Sequence, residues 1–434
     1  MTTTHEPPAA PPLRKNRDFL LLWSGSAVSI MGSTASTVAY PLLVLAVTGS
    51  AGDAGLAGFF ALLPMLLFQV PAGALVDRWD RRRVMIVCDA VRAAGLASIV
   101  IALAAGDLHL IHILIVGFLE GTMSVAHELS ASAAIPNVVH PSQIATALSR
   151  NEARERGATM LGTPLGGILF GVGRAVPFVL DALSYLVSLV TLLFIKKEFQ
   201  EERTSEPPRI LDGVRWLWRD AFLRTATFLV AGSNLLFRAL FLIVVVMAQD
   251  QGASPAAIGV LFGVAGGAGL LGSLAATWCR RRLSLRTIVV GANWLWALLM
   301  VVIVTTDHFV VLGAAYAAMW FVGPLWNVAV ASYQLEITPD HLQGRVLGAV
   351  SMLAYGALPL GSLAGGYLLQ ALGSGTASLI LTGWMVLLAA AATLSRAVRQ
   401  TRRHDSVPHD AQVQDPPGDR DPGRPALRGV ADDR

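Results

Sequence analysis

Between Phe19 and Leu394 the chain is a series of apolar runs of about 20 residues, separated by short polar connections. Wound as a helix with a rise of about 1.5 Å per residue, each run crosses a ~30 Å hydrocarbon layer. Lipid offers backbone N–H and C=O groups no partner, so such runs close their hydrogen bonds internally as helices. The pattern predicts twelve of them, at about 19–47, 54–76, 83–105, 110–134, 147–170, 176–195, 225–247, 255–278, 287–305, 309–332, 344–370 and 376–397. Pro255 behind Ser254 reads as a first-turn proline behind its N-cap.

Composition agrees with a polytopic membrane protein. Only 14% of the 434 residues are charged and 54% are hydrophobic, against roughly 25% charged in a soluble domain. Mean hydropathy is +0.58. The first run is too long for a signal-peptide core and is followed by no small-residue cleavage site, so it is expected to stay. The formal charge of +4 sits in short connections, which gives no reason to expect a nucleic-acid partner.

Lys and Arg set the orientation. One set of connections holds Arg78, Arg81, Arg82, Arg83, Arg150, Arg154, Arg156, Lys196, Lys197, Arg203, Arg280, Arg281, Arg282, Arg286 and Arg345; the other holds only Arg174. Both termini are therefore expected in the cytoplasm of a cell-membrane protein. Cys88 and Cys279 then lie near the cytoplasmic side, where packing is a better account than a disulfide.

The domain reading follows. Residues 1–17 and 400–434, which include Pro-rich polar stretches, are expected to be disordered and cytoplasmic. Residues 18–197 and 225–399 form two six-helix bundles. The linker 198–224 carries Ile210, Leu211, Val214, Leu217, Trp218 and Phe222 at helical spacing among arginines, which suits a helix lying in the membrane surface. The alternative is a regulatory partner site.

The bundles repeat. Gly73, Leu75, Trp79 and Arg81–Arg83 meet the same residue types 199 positions on, at Gly272, Leu274, Trp278 and Arg280–Arg282. A Pro/Gly-rich helix comes late in each half, "GTPLGGILFG" at 162–171 in the fifth span and "LPLGSLAGGYLL" at 358–369 in the eleventh. Two parallel six-helix repeats argue for a transporter with its site between them.

Here the chain resembles the major facilitator superfamily across nearly all its spans. The loop signature G-x-L-x-D-R-x-G-R-R/K is matched at Gly73, Leu75, Asp77, Arg78, Arg81 and Arg82, with Asp80 in place of the usual glycine. With "RDFLLLW" at the start, "TPDHLQGRV" at 338–346 and Asp89 with Arg92 in the third span, it is similar to the macrolide-efflux and enterobactin-exporter branch. The resemblance implies an all-α fold of twelve transmembrane helices in two pseudo-symmetric halves. It also implies a conformational gate of Gly73, Asp77, Arg78, Arg81 and Arg82 against Gly344 and Arg345, in which the acid meets the start of span eleven when the cytoplasmic side closes. The second copy has Ala276 at the position of Asp77, keeping the basic anchor without the acid.

Superfamily architecture implies that spans one, four, seven and ten surround a central cavity. Tyr40, Glu120, Asn234, Arg238, Tyr316, Trp320 and Asn327 are the resulting cavity candidates. The Ser and Thr residues of span one also suit ordinary interhelix hydrogen bonding. Glu120 lies about 15 Å along its helix, where a carboxylate can take up and release a proton. Glu120 and Arg238 are expected to face each other and exchange pairing, or to form a permanent neutral pair. Glu128, Asp89 and Arg92 are further proton-coupling candidates, although Asp89 and Arg92, three apart, also suit mutual neutralisation. Asp181 reads as an interfacial residue of span six. His109 and His112 lack the further ligands of a metal site.

Two departures from the superfamily's drug/proton antiporters stand out. Span four reads "VGFLEG" with no early arginine, and the proline of the span-five motif is shifted by one place. ATP is excluded as a direct fuel by the three lysines, Lys15, Lys196 and Lys197, none of which follows a phosphate-binding loop. Hydrolytic motifs are absent as well, so no enzyme, cofactor or metal is expected. A membrane potential supplies about 2.3 kcal/mol per charge per 100 mV. The expectation is a monomeric secondary transporter, exporting an amphipathic drug, antibiotic or siderophore-like molecule in exchange for protons or another ion. Lipid translocation, import or a non-transporting sensor are the alternatives.

Overall fold

The computed structural model describes residues 12–76, 78–195, 199, 210–339 and 342–400. Six helices build the first half: α1 (Arg17–Thr48), α2 (Ala51–Val76), α3 (Arg81–Ala105), α4 (Leu110–Val138), α5 (Ile144–Val172) and α6 (Val176–Phe194). After the linker helix α7 (Ile210–Arg219) come α8 (Ala221–Asp250), α9 (Pro255–Arg282), α10 (Leu285–Thr305), α11 (Phe309–Ile337), α12 (Gln343–Leu394) and a short α13 (Arg396–Gln400). No strand occurs among the described residues.

Local chemistry starts the helices. Asn16, Asp80, Asp220, Ser254 and Ser284 each accept a hydrogen bond from the backbone N–H three residues on, at 3.1, 3.1, 2.6, 3.2 and 3.2 Å. These are N-cap bonds, each satisfying a donor that the first turn leaves open. Asp80, the departure from the loop signature, therefore has a structural use as the cap of α3.

Among the described residues, ten helices are long and apolar enough to cross a membrane. The count of twelve passes is reached through α5 and α12. The early turns of α5 carry Arg150, Glu152, Arg154, Glu155 and Arg156, which lower its mean hydropathy. The 52 residues of α12 would reach about 78 Å if straight, but Gly373 breaks it at φ 74° and ψ 170°. Only glycine takes that geometry without steric cost. The contacts with α8 show the reversal. Asn234 bonds Ala354, and Gly365 packs on Ala239, so the first arm runs with α8. Trp384 bonds Gly232 while Ser374 bonds Asp250, so the second arm runs against it.

Both halves use one pairing scheme. In the first, α1 packs on α5 and α6, α4 on α2 and α3, and α3 on α6. In the second, α8 packs on both arms of α12, α11 on α9 and α10, and α10 on α12. The halves meet through α2 with α12 and through α5 with α9, a pair of contacts that the repeat interchanges. Glycines bring these helices to backbone contact. A Cβ on Gly55 would fall 2.6 Å from the Cα of Gly366, and one on Gly167 would fall 2.6 Å from the Cα of Gly259. Such small-residue seams replace the hydrophobic effect, which does little between helices already in lipid. Gly55 and Gly259 lie in the first turns of α2 and α9, so both seams sit at the end away from the chain termini. The end carrying the termini and the arginine-rich connections is the basic face.

Three expectations need correction. Residues 12–17 are ordered: Leu13–Lys15 form a 3-10 turn, Leu13 is buried and α1 begins at Arg17. The second bundle starts at Ala221 rather than 225, because Asp220 caps α8. The linker helix turns an apolar edge onto protein: Leu217 packs with Leu223 of α8 and with Val346 and Ala349 at the start of α12. Gly213 permits this, since a Cβ there would stand 3.0 Å from Arg345 Cβ. The remainder of the expected tails, 1–11 and 401–434, lies outside the described residues.

Candidate functional site

Two confluent cavities lie between the halves, both bordered by Thr37, Leu62, Arg238 and Phe241. The larger, about 680 Å³, is walled by α1, α5, α8, α9 and α11 and reaches Glu152 and Glu155 near the basic face. Asn234, Arg238, Tyr316, Trp320 and Asn327 line it, among the rings of Phe237, Phe241, Phe262 and Trp296. The smaller, about 240 Å³, extends into the first half and is lined by Tyr40, Arg92, Glu120 and Ser124. The glycine seams close the opposite end, so this conformation opens toward the basic face.

The first half holds a buried polar cluster. Tyr185 and Tyr40 donate to the two oxygens of Glu120 at 2.7 and 3.2 Å. Arg92 donates to Tyr185 at 2.6 Å and to Ser33 at 3.1 Å, and its guanidinium also lies 3.9 Å from the centroid of the Tyr185 ring. Asp89 is fully buried; His127 approaches it at 3.4 Å and Arg92 only at 4.0 Å. Asp181 is fully buried next to Ser184 and Tyr185. Three carboxyl groups (Asp89, Glu120 and Asp181) thus surround one guanidinium, and of these Asp89 comes within 4.0 Å of it.

Several expectations change here. Glu120 and Arg238 border the same small cavity but form no ion pair with each other; the Glu120 oxygens accept from two phenols instead. Arg238 has no hydrogen bond or ion pair among the described residues, and lies 5.1 Å from the Phe241 ring centroid. Asp89 and Arg92 form the expected ion pair at 4.0 Å, and Arg92 also reaches past Asp89 to donate to Tyr185. Asp89 lines neither cavity. Glu128 is exposed and lines neither cavity. Asp181, expected at the interface, belongs to the cluster. The sequence alone does not mark Tyr185; its one signal is a position four residues after Asp181, on the same helix face.

The gate candidates are scattered in this conformation. Gly73 lies within α2, and Asp77 is outside the described residues. Arg78 is exposed. Arg81 donates to the carbonyls of Ala133 and Phe199 at 2.9 and 3.0 Å, and Arg82 to those of Leu192 and Leu193 at 2.9 and 2.8 Å. Both arginines tie α3 to chain ends of their own half, with Arg82 meeting the last carbonyls of α6. Gly344 is exposed, and Arg345 abuts Gly213 of α7.

Comparison with known proteins gives this architecture a context. The family described as "Transmembrane secretion effector" (MFS_3) matches residues 8–420. The multidrug efflux pump Tap of Mycobacterium tuberculosis is 27% identical over 377 residues, covering 82% of this chain and 87% of that protein. Tap of Mycolicibacterium fortuitum is 26% identical over 404 residues, covering 89% and 97%. Macrolide efflux protein A of Streptococcus pyogenes is 24% identical over 179 residues, covering 41% and 44%. Among solved structures, the nucleoside transporter NupG superposes with a TM-score of 0.72 at 13% identity, covering 87% of this chain and 98% of that one. A bacterial homologue of the human lysosomal transporter Spinster, inward-facing and unoccupied, gives 0.71 at 14% identity, covering 90% and 98%. These likenesses establish the fold.

Proposed function

Since this chain belongs to the transmembrane secretion effector family of the major facilitator superfamily, we propose that it is a proton-coupled exporter of an amphipathic small molecule. It works by alternating access from the cell membrane, as a monomer with both termini in the cytoplasm. The basic face is then cytoplasmic, and the conformation described is inward-open. The gate residues Asp77 and Arg78 come into use when that face closes against Gly344 and Arg345.

The observation that carries the reading is the pair of ionisable groups on the walls of one cavity between the halves, Glu120 from the first half and Arg238 from the second. A cavity of about 680 Å³ with aromatic walls fits a drug-sized ligand, for which sites run about 300–1,000 Å³. The efflux named in the mycobacterial relatives supports the direction. Unprotonated Glu120 and Arg238 attract across the small cavity; a proton on Glu120 weakens that attraction and lets the halves part. Substrate entering beside Arg238 has the same leverage, which couples the two ligands through one equilibrium.

Inverted membrane vesicles with an acidic interior test this. The wild type is expected to accumulate ethidium in response to the pH gradient, and Glu120→Gln to lose that response while still binding the dye. Accumulation that ignores the gradient in both proteins would sink proton coupling, and accumulation only in right-side-out vesicles would reverse the direction.

A further inference from the structure

Asp181 sits one turn before Tyr185 on α6 and has no solvent exposure. The opposing helix makes room for it: a Cβ on Gly32 of α1 would lie 2.7 Å from Asp181 Oδ1. Among the described residues no cation comes within ion-pairing distance of this carboxyl group. Its partners are hydroxyls, Ser184 Oγ at 3.2 Å and Tyr185 OH at 3.4 Å. From the helices packed on α6, α1 presents Ser33, Ser36 and Tyr40, α3 presents Arg92 with Asp89 behind it, and α5 presents no charged group to it. Glu120 of α4 lies beyond the Tyr185 hydroxyl, and Arg238 of α8 is across the cavity. An ionised carboxylate so enclosed and unpaired is strongly disfavoured.

The Tyr185 hydroxyl has one hydrogen and three oxygen neighbours: Glu120 Oε1 at 2.7 Å, Asp181 Oδ2 at 3.4 Å, and Ser33 Oγ at 2.9 Å, whose own hydrogen goes to the Ser29 carbonyl at 2.8 Å. Arg92 only donates to it, at 2.6 Å. The shorter distance assigns the phenol hydrogen to Glu120, leaving the phenol oxygen as an acceptor for a hydrogen on Asp181. We infer that Asp181 is a second proton-holding site, linked to Glu120 through the Tyr185 hydroxyl as a one-residue relay. In the transfer, Tyr185 gives its hydrogen to Glu120 Oε1 as its oxygen takes the hydrogen of Asp181 Oδ2. One phenol O–H bond breaks and another forms, so Tyr185 ends neutral, Glu120 protonated and Asp181 a carboxylate. Nothing is oxidised or reduced. The 3.4 Å arm is long for such a bond, so it is the arm that must shorten as the halves move.

The relay has a direction. Asp181 lies five residues into α6 from the end away from the basic face, and Glu120 lies ten residues into α4 from the same end. These offsets are about 8 and 15 Å along the helices. Asp181 is therefore the outer member, placed to receive a proton from the far compartment and pass it to the cavity. This gives the coupling site proposed above its entrance and rests on that reading for its purpose.

Infrared difference spectra of the purified full-length protein, recorded across a pH step in H₂O and D₂O, test the inference without requiring transport. The wild type is expected to show a protonated-carboxyl stretch that Asp181→Asn removes and Asp181→Glu shifts in frequency. In Tyr185→Phe that band is expected to persist but to exchange with deuterium roughly a hundredfold more slowly, the scale of a positioned proton-transfer group. A band unaffected by both Asp181 variants would overturn the proton site. Exchange at the wild-type rate in Tyr185→Phe would overturn the relay. If Asp181→Asn does not fold, the frequency shift in Asp181→Glu still decides the first point. A protein showing all three signatures but no pH-driven export would sink the exporter reading alone.

Discussion

Arg92 is held on several sides inside the first half. It donates to Tyr185 and Ser33, stacks on the Tyr185 ring and is 6% exposed, with three carboxyl groups around it. Removing a charge from a buried constellation of this kind costs about 3–5 kcal/mol, because the carboxyl groups left behind lose the guanidinium at their centre. Arg92→Leu is therefore expected to lower the thermal unfolding midpoint in detergent by several degrees. Arg92→Lys is expected to fall between, since an ammonium keeps the charge but cannot fork to two oxygens while stacking on a ring. A midpoint for Arg92→Leu equal to that of the wild type would show that the carboxyl groups are neutralised by other means. Arg92, Asp89, Glu120 and Arg238 were legible in the sequence because charge inside an apolar run is costly and stands out. Asp181 stood out equally but was placed by its depth along α6. What buries it is Gly32 on a different helix, and the absence of a side chain across an interface has no linear signature.

At the scale of helices the decisive features are the glycine seams. Where α5 meets α9, the ideal Cβ of Gly171 lies 3.9 Å from Ala256 Cβ, inside the roughly 3.5–4.5 Å range that a disulfide spans. The double variant Gly171→Cys with Ala256→Cys is expected to crosslink under mild oxidation, to hold the far end shut and to stop transport until a reductant is added. The native cysteines, Cys88 and Cys279, are buried and form no disulfide, which leaves a quiet background. Failure to crosslink would mean that the halves do not close there, and transport undiminished by the crosslink would mean that this seam never opens. Sequence periodicity located the helices to within a few residues, since apolar length and flanking caps are local. It did not show that α7 packs on the start of α12, because an amphipathic stripe reads the same whether lipid or protein covers it.

For the whole molecule, the repeat of one pairing scheme in two halves sets how the cavity can open. The seams α2 with α12 and α5 with α9 are exchanged by the repeat, so breaking both by a rocking motion opens the far end symmetrically. In the present arrangement both are closed, and Asn327 is exposed on the wall of the larger cavity. Asn327→Cys is expected to react with a membrane-impermeant maleimide in inverted vesicles and to be protected in right-side-out ones. The same variant carrying the Gly171–Ala256 crosslink should keep that sidedness whatever the pH, because the far end can no longer part. Without the crosslink, an imposed pH gradient should raise labelling from the far side as the second state fills. Equal labelling from both sides at all times would describe a pore, and two rocking halves around a central vestibule cannot behave as one.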